Sequence, residues 1–210
     1  MIAAILERCC TDAAQVREAL DNGASRAELC RCLETGGLTP DAEEIRKSVA
    51  TGLQVNVLVR PRAGDFVYDA AEAAKMLEDI GLCAELGAGG VVVGALDKDG
   101  NVDAQLCAAM AEKARSLGLE TTFHRAFDSC REPLEALETI ISLGYDRILT
   151  SGCRPTAMEG APLLAELVLR AAGRIIIMPG SGVSPENIDR LRELTGATEF
   201  HGTRLCVSKD

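Results

Sequence analysis

Short apolar runs alternate with longer amphipathic stretches along this chain of 210 residues, with a repeat of roughly 20 to 35 residues. The apolar runs are rich in Val, Ile and Leu and end at turn residues, as buried strands do. We therefore predict eight strands, at Ala3–Leu6, Arg26–Leu29, Val55–Val59, Gly90–Val93, Thr121–Phe123, Arg147–Thr150, Ile175–Met178 and Glu199–His201.

The stretches between these strands show the residue spacing of amphipathic helices. Asp41, Asp69 and Asp103 suit N-cap positions, and glycines such as Gly118 suit the left-handed residue that follows a helix. The predicted helices lie near Asp12–Asp21, Asp41–Ala50, Asp69–Leu86, Asp103–Leu117, Pro133–Leu143, Pro162–Ala171 and Glu186–Thr195.

This order of elements predicts a single α/β domain over residues 1–210. Helices between consecutive strands make the strands parallel, and eight such strands are the number that closes into a TIM-type (β/α) barrel. An open doubly wound sheet is the alternative, but no GxGxxG or Walker loop follows any strand. Only residues 202–210 follow the last strand, so we expect the closing eighth helix to be missing.

The charge of the chain argues against nucleic acids and membranes as partners. The formal net charge is −10, and no run of Lys or Arg offsets it locally. No stretch approaches the ~18 consecutive apolar residues that a membrane span needs, and the first residues lack the pattern of a signal peptide. We expect a cytoplasmic protein.

Nine cysteines are scattered along the chain, an odd number without the regular pairing of a disulfide framework. No CxxC pair occurs, which argues against a zinc ribbon. Most of these thiols are therefore expected to be reduced.

Polar residues are concentrated where the predicted strands end, which is where the site of a barrel is built. If Leu6 and Leu29 point outward to the helices, the residues next to them in the strands point into the barrel. The expected inward set is Glu7, Cys9, Glu28, Cys30, Arg60 and His124.

The chemistry of these residues alone allows two explanations of the polar set. One is an enzyme acting on a small anionic or sugar-like substrate, with acid–base residues and a loop that cradles an anion. The other is a buried salt-bridge network that only balances inward charges. For the enzyme, the catalytic candidates are Glu7, Glu28, Arg60 and His124, and the anion-binding candidates are Arg62, Ser151, Gly180, Ser181 and Gly182.

Several segments together resemble the copper homeostasis protein CutC family, and they cover nearly the whole chain. RPRAGDFVY at 60–68 and FHRAFD at 123–128 are the most specific of them. The others, in chain order around these two, are LERCC (6–10), AELC (27–30), GGLTP (36–40), RILTSG (147–152) and MPGSGV (178–183).

The resemblance implies a cytoplasmic TIM-like barrel that is usually oligomeric, with a homodimer as one form, and a link to copper tolerance and to Cu(I). Cys9 and Cys30 match the positions of the family's proposed copper ligands. Soft thiolates suit Cu(I), and two inward sulfurs could hold it linearly, with Cys10, Cys32 or His201 as a third ligand. Alternatively, both cysteines only fill the core. We therefore expect a copper homeostasis protein, with the barrel enzyme and a non-catalytic scaffold as alternatives.

Overall fold

The computed structural model describes residues 4–205. Within them the chain forms eight strands: β1 (Ile5–Cys10), β2 (Arg26–Leu29), β3 (Gln54–Leu58), β4 (Gly90–Val93), β5 (Glu120–Phe123), β6 (Arg147–Thr150), β7 (Ile176–Pro179) and β8 (Glu199–Gly202). Seven α-helices alternate with the strands: α1 (Ala13–Asp21), α2 (Ala42–Val49), α3 (Ala70–Glu85), α4 (Ala104–Ser116), α5 (Pro133–Ser142), α6 (Ala161–Ala171) and α7 (Ile188–Thr195). The helix count matches the prediction, and the bounds of most elements differ from it by one or two residues.

All strand pairs in the sheet are parallel, and the order is β7-β6-β5-β4-β3-β2-β1-β8. Residues of β7 and β8 lie close together, but no hydrogen-bonded pairing joins these two strands in residues 4–205. The fold is therefore a nearly closed TIM-type barrel, as predicted. No helix follows β8 in the described part of the chain, and residues 206–210 lie outside it.

The first strand was predicted at Ala3–Leu6, and its predicted end is wrong, because β1 continues to Cys10. Ala3 lies outside the described residues. The prediction ended the strand at its first charged residues. In the barrel these charges have partners: Glu7 pairs with Arg26 inside, and Arg8 pairs with Glu18 at 2.8 Å on α1. Charged residues can therefore continue a strand when neighbouring elements neutralise them.

The main hydrophobic core lies between the strands and the surrounding helices. Its fully buried members include Leu29, Val57 and Phe200 from the strands and Met76 and Leu164 from the helices. Because both faces of a parallel barrel are covered, the strands are buried along most of their length. The inner face of the barrel carries the polar side chains from which the site is built.

The helix starts follow the sequence signals at two of the three predicted N-caps. Asp69 forms a capping box with Glu72, and the Asp103 side chain accepts a hydrogen bond from the Leu106 N–H. Asp41 occupies the N-cap position of α2 but its side chain makes no capping hydrogen bond. No helix in residues 4–205 is long and apolar enough to cross a membrane.

Candidate functional site

Charged side chains of alternating sign fill the lower part of the barrel interior. Glu7 on β1 accepts a 2.5 Å hydrogen bond from Arg26 Nε on β2, and Arg26 Nη2 donates at 2.5 Å to Glu199 on β8, which lies on the other side of β1. Arg147 on β6 lies 3.3 Å from the same Glu199 carboxylate and 3.0 Å from Glu120. This interior charge network joins strands from both ends of the chain.

His201 extends the interior charge network to the mouth of the barrel. Its Nδ1 lies 2.8 Å from Glu7 Oε1, on neighbouring strands in register. Burial alone raises the pKa of Glu7, but the hydrogen bond from His201 and the charge of Arg26 outweigh it and hold this pKa at about 2. Burial lowers the pKa of His201, but the charges of Glu28 and Glu7 outweigh it and raise the pKa. Glu7 is thus anionic and favours a protonated His201.

A second cluster, the thiol cluster, consists of Cys9, Glu28 and Cys30 at the ends of β1 and β2. The Cys9 and Cys30 Sγ atoms are 3.9 Å apart, and Cys9 Sγ is also 3.9 Å from Glu28 Oε1. The three side chains are buried and their ligand atoms all lie within 4.8 Å of one another. Leu58 and Val92 pack against the two cysteines, so apolar surface adjoins the sulfurs.

Ionisation of the thiol cluster is opposed by its surroundings. The pKa of the Cys9 thiol is raised by its hydrogen bond with Cys30, by burial and by the negative charge of Glu28. Burial likewise raises the pKa of Glu28 to about 6, although the charge of His201 acts in the opposite direction. One of the two Glu28 carboxylate oxygens has no hydrogen-bond partner in the described residues. A cation would therefore relieve unfavourable interactions here.

The three residues named as a third ligand differ in position. Cys10 faces the helices, because it pairs with Leu29 in register and belongs to the main core. Cys32 lies half-buried in a left-handed backbone conformation, outside both groups of close metal-ligating atoms. His201 lies within 4.8 Å of Glu7 and Glu28 ligand atoms, so it is part of a second group that shares Glu28 with the thiol cluster.

A cavity of about 710 Å³ opens above these clusters at the carboxyl ends of the strands. Its volume is in the range of small-molecule sites. Its wall includes the thiol cluster and residues from the loops after most of the strands. Those with polar or charged groups are Cys9, Glu28, Cys30, Thr35, Arg60, His124, Arg125, Asp128, Ser129, Ser181, Ser184, His201, Thr203 and Arg204.

Arg60 is buried in the cavity wall and holds two loops together. Its Nη1 donates to the carbonyls of Thr35 and Gly37, and its Nη2 donates to the carbonyl of Gly64. Gly37 allows this close packing, because its φ is +87° and a Cβ there would lie 2.7 Å from Leu58. The same loop covers Cys30, so Arg60 also positions the thiol cluster.

His124 is neutral in this site. Burial lowers its pKa to about 3, and the positive charge of Arg60 adds to the effect. Its Nδ1 accepts the Ala126 N–H at 3.2 Å, so the ring proton lies on Nε2, which has no partner in the described residues. Phe66 packs against both this ring and the Arg60 guanidinium. This environment favours hydrogen-bond donation by His124 over proton exchange near neutral pH.

The five anion-binding candidates do not lie together. Ser181 and Gly182 line the cavity, and Gly180 lies just below them against Leu149 and His201. Ser151 is turned to Asp128 and the Arg154 carbonyl, with no atoms in the cavity wall. Arg62 also lies outside that wall and pairs with Glu72 and Asp65. Of the five, only Ser181 and Gly182 reach the cavity.

Sequence reasoning missed Arg26, Asn56, Arg147 and Glu199, which form much of the interior charge network. Arg26, Arg147 and Glu199 are the first residues of their predicted strands, and Asn56, which donates a hydrogen bond to Glu7 at 3.4 Å, is the second residue of its strand. The period-two rule that turns Glu28 inward also turns Arg26 inward, two positions earlier, and His201 and Glu199 are related in the same way. Alternation along a strand therefore predicts inward side chains at the first residues of the strands as well as at their ends.

These features define a TIM-type barrel with an ion-paired interior and a thiol–carboxylate cluster in its mouth. The profile of the CutC family matches residues 4–206, nearly the whole chain. The chain belongs to the CutC family.

Relatives from distant organisms share this assignment. A CutC family protein of Parabacteroides distasonis is 51% identical over 205 residues, which are 97% of this chain and 84% of that protein. The human protein named copper homeostasis protein cutC homolog is 44% identical over 200 residues, 94% of this chain and 72% of that protein.

The fold is also similar to solved structures. The crystal structure of a CutC from Streptococcus agalactiae has a TM-score of 0.90 and 32% identity, and the match covers 96% of this chain and 99% of that one. A 2,3-dimethylmalate lyase has a TM-score of 0.63 at 10% identity, covering 96% of this chain and 76% of that one. The likeness to the lyase concerns the barrel fold alone.

Proposed function

We propose that this protein takes part in copper homeostasis by binding Cu(I) between the thiols of Cys9 and Cys30. The observation that carries the proposal is the 3.9 Å separation of two buried sulfurs on adjacent strands, in the wall of an open cavity. Relatives named for copper homeostasis support it. Cu(I) prefers soft thiolate ligands, and the apolar surface of Leu58 and Val92 beside the sulfurs suits a weakly hydrated ion.

The separation of the sulfurs favours a bent arrangement over the linear one expected from the sequence. With metal–sulfur bonds of about 2.3 Å, as in zinc–thiolate sites, two sulfurs on opposite sides of an ion lie about 4.6 Å apart. The 3.9 Å separation is shorter, so an ion bonded to both sulfurs lies off the line between them. Glu28 can complete the coordination, since its Oε1 is 3.9 Å from Cys9 Sγ.

Binding of Cu(I) must displace a thiol proton. Because the pKa of Cys9 is raised by its hydrogen bond to Cys30, by burial and by Glu28, the unloaded site holds its protons. Cu(I) affinity should therefore rise with pH as proton loss becomes less costly.

The experiment is an anaerobic Cu(I) titration of the reduced protein in competition with a chelator of known affinity. The Cys9→Ser/Cys30→Ser variant should lose the tight, stoichiometric site. Its matched control is Cys32→Ser/Cys130→Ser, which removes two partly buried thiols outside the thiol cluster. That control should keep the wild-type affinity.

Equal competition by the wild type and the Cys9→Ser/Cys30→Ser variant would show that the two cysteines only pack the core. Loss of binding in both double variants would show that copper is held by thiols in general, and that outcome also contradicts the proposal.

A barrel enzyme acting on a small anionic or sugar-like substrate is the second candidate function. The pairing of His201 with Glu7 at 2.8 Å favours it, because a carboxylate that orients an imidazole at a cavity wall is a common acid–base arrangement.

The test of this candidate is hydrogen exchange into a substrate. Aldose and ketose phosphates would be incubated with the protein in D₂O, and carbon-bound deuterium measured by NMR. Exchange that Glu28→Gln abolishes and Cys9→Ser/Cys30→Ser preserves would establish an enzyme, and no exchange with any of these sugars would count against this candidate.

A further inference from the structure

The cavity carries positive charge in its wall although the protein as a whole is acidic. The chain has a net charge of −10, yet Arg60, Arg125 and Arg204 line the cavity together with His201. The acidic residues of the wall are Glu28 and Asp128, and Asp128 is already paired with Arg125 at 2.8 Å. In the described residues, the wall of this cavity therefore holds more cationic than anionic side chains.

Arg60 has no carboxylate partner among residues 4–205. The three hydrogen bonds of its guanidinium go to backbone carbonyls, and the guanidinium Nε has no acceptor in the described residues. Only 5% of the residue is exposed, so water compensates little of its charge. A buried guanidinium without a counter-ion is costly, and an anionic ligand in the cavity would offset that cost.

The loop after β7 contains backbone N–H groups without partners in residues 4–205 and forms part of the wall of the same cavity. Ser181, Gly182 and Val183 line it, and within the described range none of their N–H groups donates a hydrogen bond. The loop is held in shape by other contacts: Ser181 Oγ donates to the Pro155 carbonyl, and Asn187 Nδ2 donates to the Gly182 carbonyl. Ser181 and Gly182 both have positive φ, at +72° and +69°. Successive free N–H groups in a fixed turn are an anion-binding arrangement.

His124 adds a neutral donor on the side of Arg60. The residue is 4% exposed, lines the cavity and carries its proton on Nε2, which has no partner in the structure as described. A neutral imidazole N–H and an unpaired guanidinium N–H are thus linked through Phe66 on one wall. Both nitrogen atoms are enclosed behind the cavity surface, so they favour an anionic ligand through the charge of Arg60 and the N–H dipole of His124.

We propose that the cavity binds a small organic phosphate. The N–H groups of Ser181, Gly182 and Val183 hold the phosphate group, and the positive charge of Arg60 in the cavity wall stabilises the bound anion. Three neighbouring N–H donors suit a phosphate group, which has several acceptor oxygens, better than they suit a carbonyl group, which has one. A cavity of about 710 Å³ limits the ligand to a small molecule, and the net charge of −10 disfavours long polyanions. This ligand site shares the cavity with the proposed copper site, but the phosphate group lies at the loop after β7, whereas the thiols lie at the ends of β1 and β2.

The test is isothermal titration calorimetry with glycerol 3-phosphate and with inorganic phosphate, at constant ionic strength. Glycerol is the uncharged control. The wild type should bind glycerol 3-phosphate saturably at one site and inorganic phosphate more weakly, while glycerol gives no binding. Absence of saturable binding for both phosphate probes would overturn the proposal, and so would equal binding of glycerol.

Two matched variants of Gly182 localise the phosphate group. Gly182→Asp places a negative charge in the loop, whereas Gly182→Asn has nearly the same shape and no charge. A Cβ here meets Thr156 at 3.4 Å, and both residues tolerate positive φ better than most, so both variants should fold. We expect Gly182→Asp to weaken binding by about tenfold or more through charge repulsion, and Gly182→Asn by less than about threefold.

Equal weakening by the Asp and Asn variants would show that loop distortion, not charge, is responsible, and would contradict the placement of the phosphate.

Discussion

At the scale of single residues, burial and neighbouring charge together decide the protonation state of the two histidines in the cavity. Burial and the charge of Arg60 lower the pKa of His124 to about 3. His201, equally enclosed, has its pKa raised because the neighbouring Glu28 and Glu7 outweigh burial. Two histidines in one cavity thus differ in charge, since one faces a cation and the other faces carboxylates.

The neutral state of His124 predicts a pH-dependent stability. The unfolded chain binds this proton near pH 6.5 and the folded chain near pH 3, so the stabilising contribution is complete above pH 6.5 and is lost as the pH falls towards 3. Replacement by Asn keeps an acceptor for the Ala126 N–H and removes the titration. Between pH 6.5 and pH 5 the wild type should lose about 2 kcal/mol more unfolding free energy than His124→Asn.

Urea denaturation at a series of pH values measures this difference. Other titrating groups are common to the two proteins, so they cancel in the comparison. Parallel pH profiles for wild type and His124→Asn would show that His124 takes up its proton normally in the folded protein.

At the scale of elements, the order and type of the helices and strands could be predicted from the hydrophobic pattern, because apolar runs and helical spacing are local signals. The inward direction of Glu7, Cys9, Glu28 and Cys30 also followed from alternation along a strand. The end of β1 could not be predicted in this way. Whether a charged residue continues a strand depends on partners that are distant in sequence, such as Arg26 for Glu7.

The same limitation applies to the site. Arg62 and Ser151 have suitable chemistry and lie after suitable strands, but local partners turn them away from the cavity. Conversely, Phe66 and the free N–H groups after β7 give no chemical signal in the sequence, because their role depends on what surrounds them in the fold.

The contribution of the interior charge network to stability can be measured at Arg26. Replacing it with Met leaves Glu7 and Glu199 buried without this cation, so the unfolding free energy should fall by about 3–5 kcal/mol. Arg190→Met, which breaks an exposed pair with Glu193, is the control and should cost about 1 kcal/mol or less. Chemical denaturation gives both values. Equal losses in the two variants would mean that the interior pairs are not closely formed.

At the scale of the whole molecule, the barrel has a seam between β7 and β8. These strands are neighbours, but in residues 4–205 no hydrogen-bonded ladder joins them. The remaining seven contacts around the barrel are regular parallel pairings. The seam adjoins the loop after β7 and His201, so it lies beside the cavity.

Hydrogen exchange followed by NMR should reveal this seam. Amide protons of β7 that face β8 lack a ladder partner, so they should exchange faster than those of β3, which is paired on both sides. Protection of β7 equal to that of β3 would show that the barrel is fully closed in solution.

The interior charge network also bears on how the chain acquires its fold during synthesis. Arg26 and Arg147 leave the ribosome well before Glu199 and His201, which belong to the final strand of the barrel. Before β8 arrives, each arginine has one acidic partner, Glu7 for Arg26 and Glu120 for Arg147, but the Glu199 carboxylate that contacts both is absent. We therefore expect the nascent interior to stay hydrated until the last strand supplies the carboxylate that the two arginines share. In this way an ionic contact makes completion of the barrel depend on translation of its final strand.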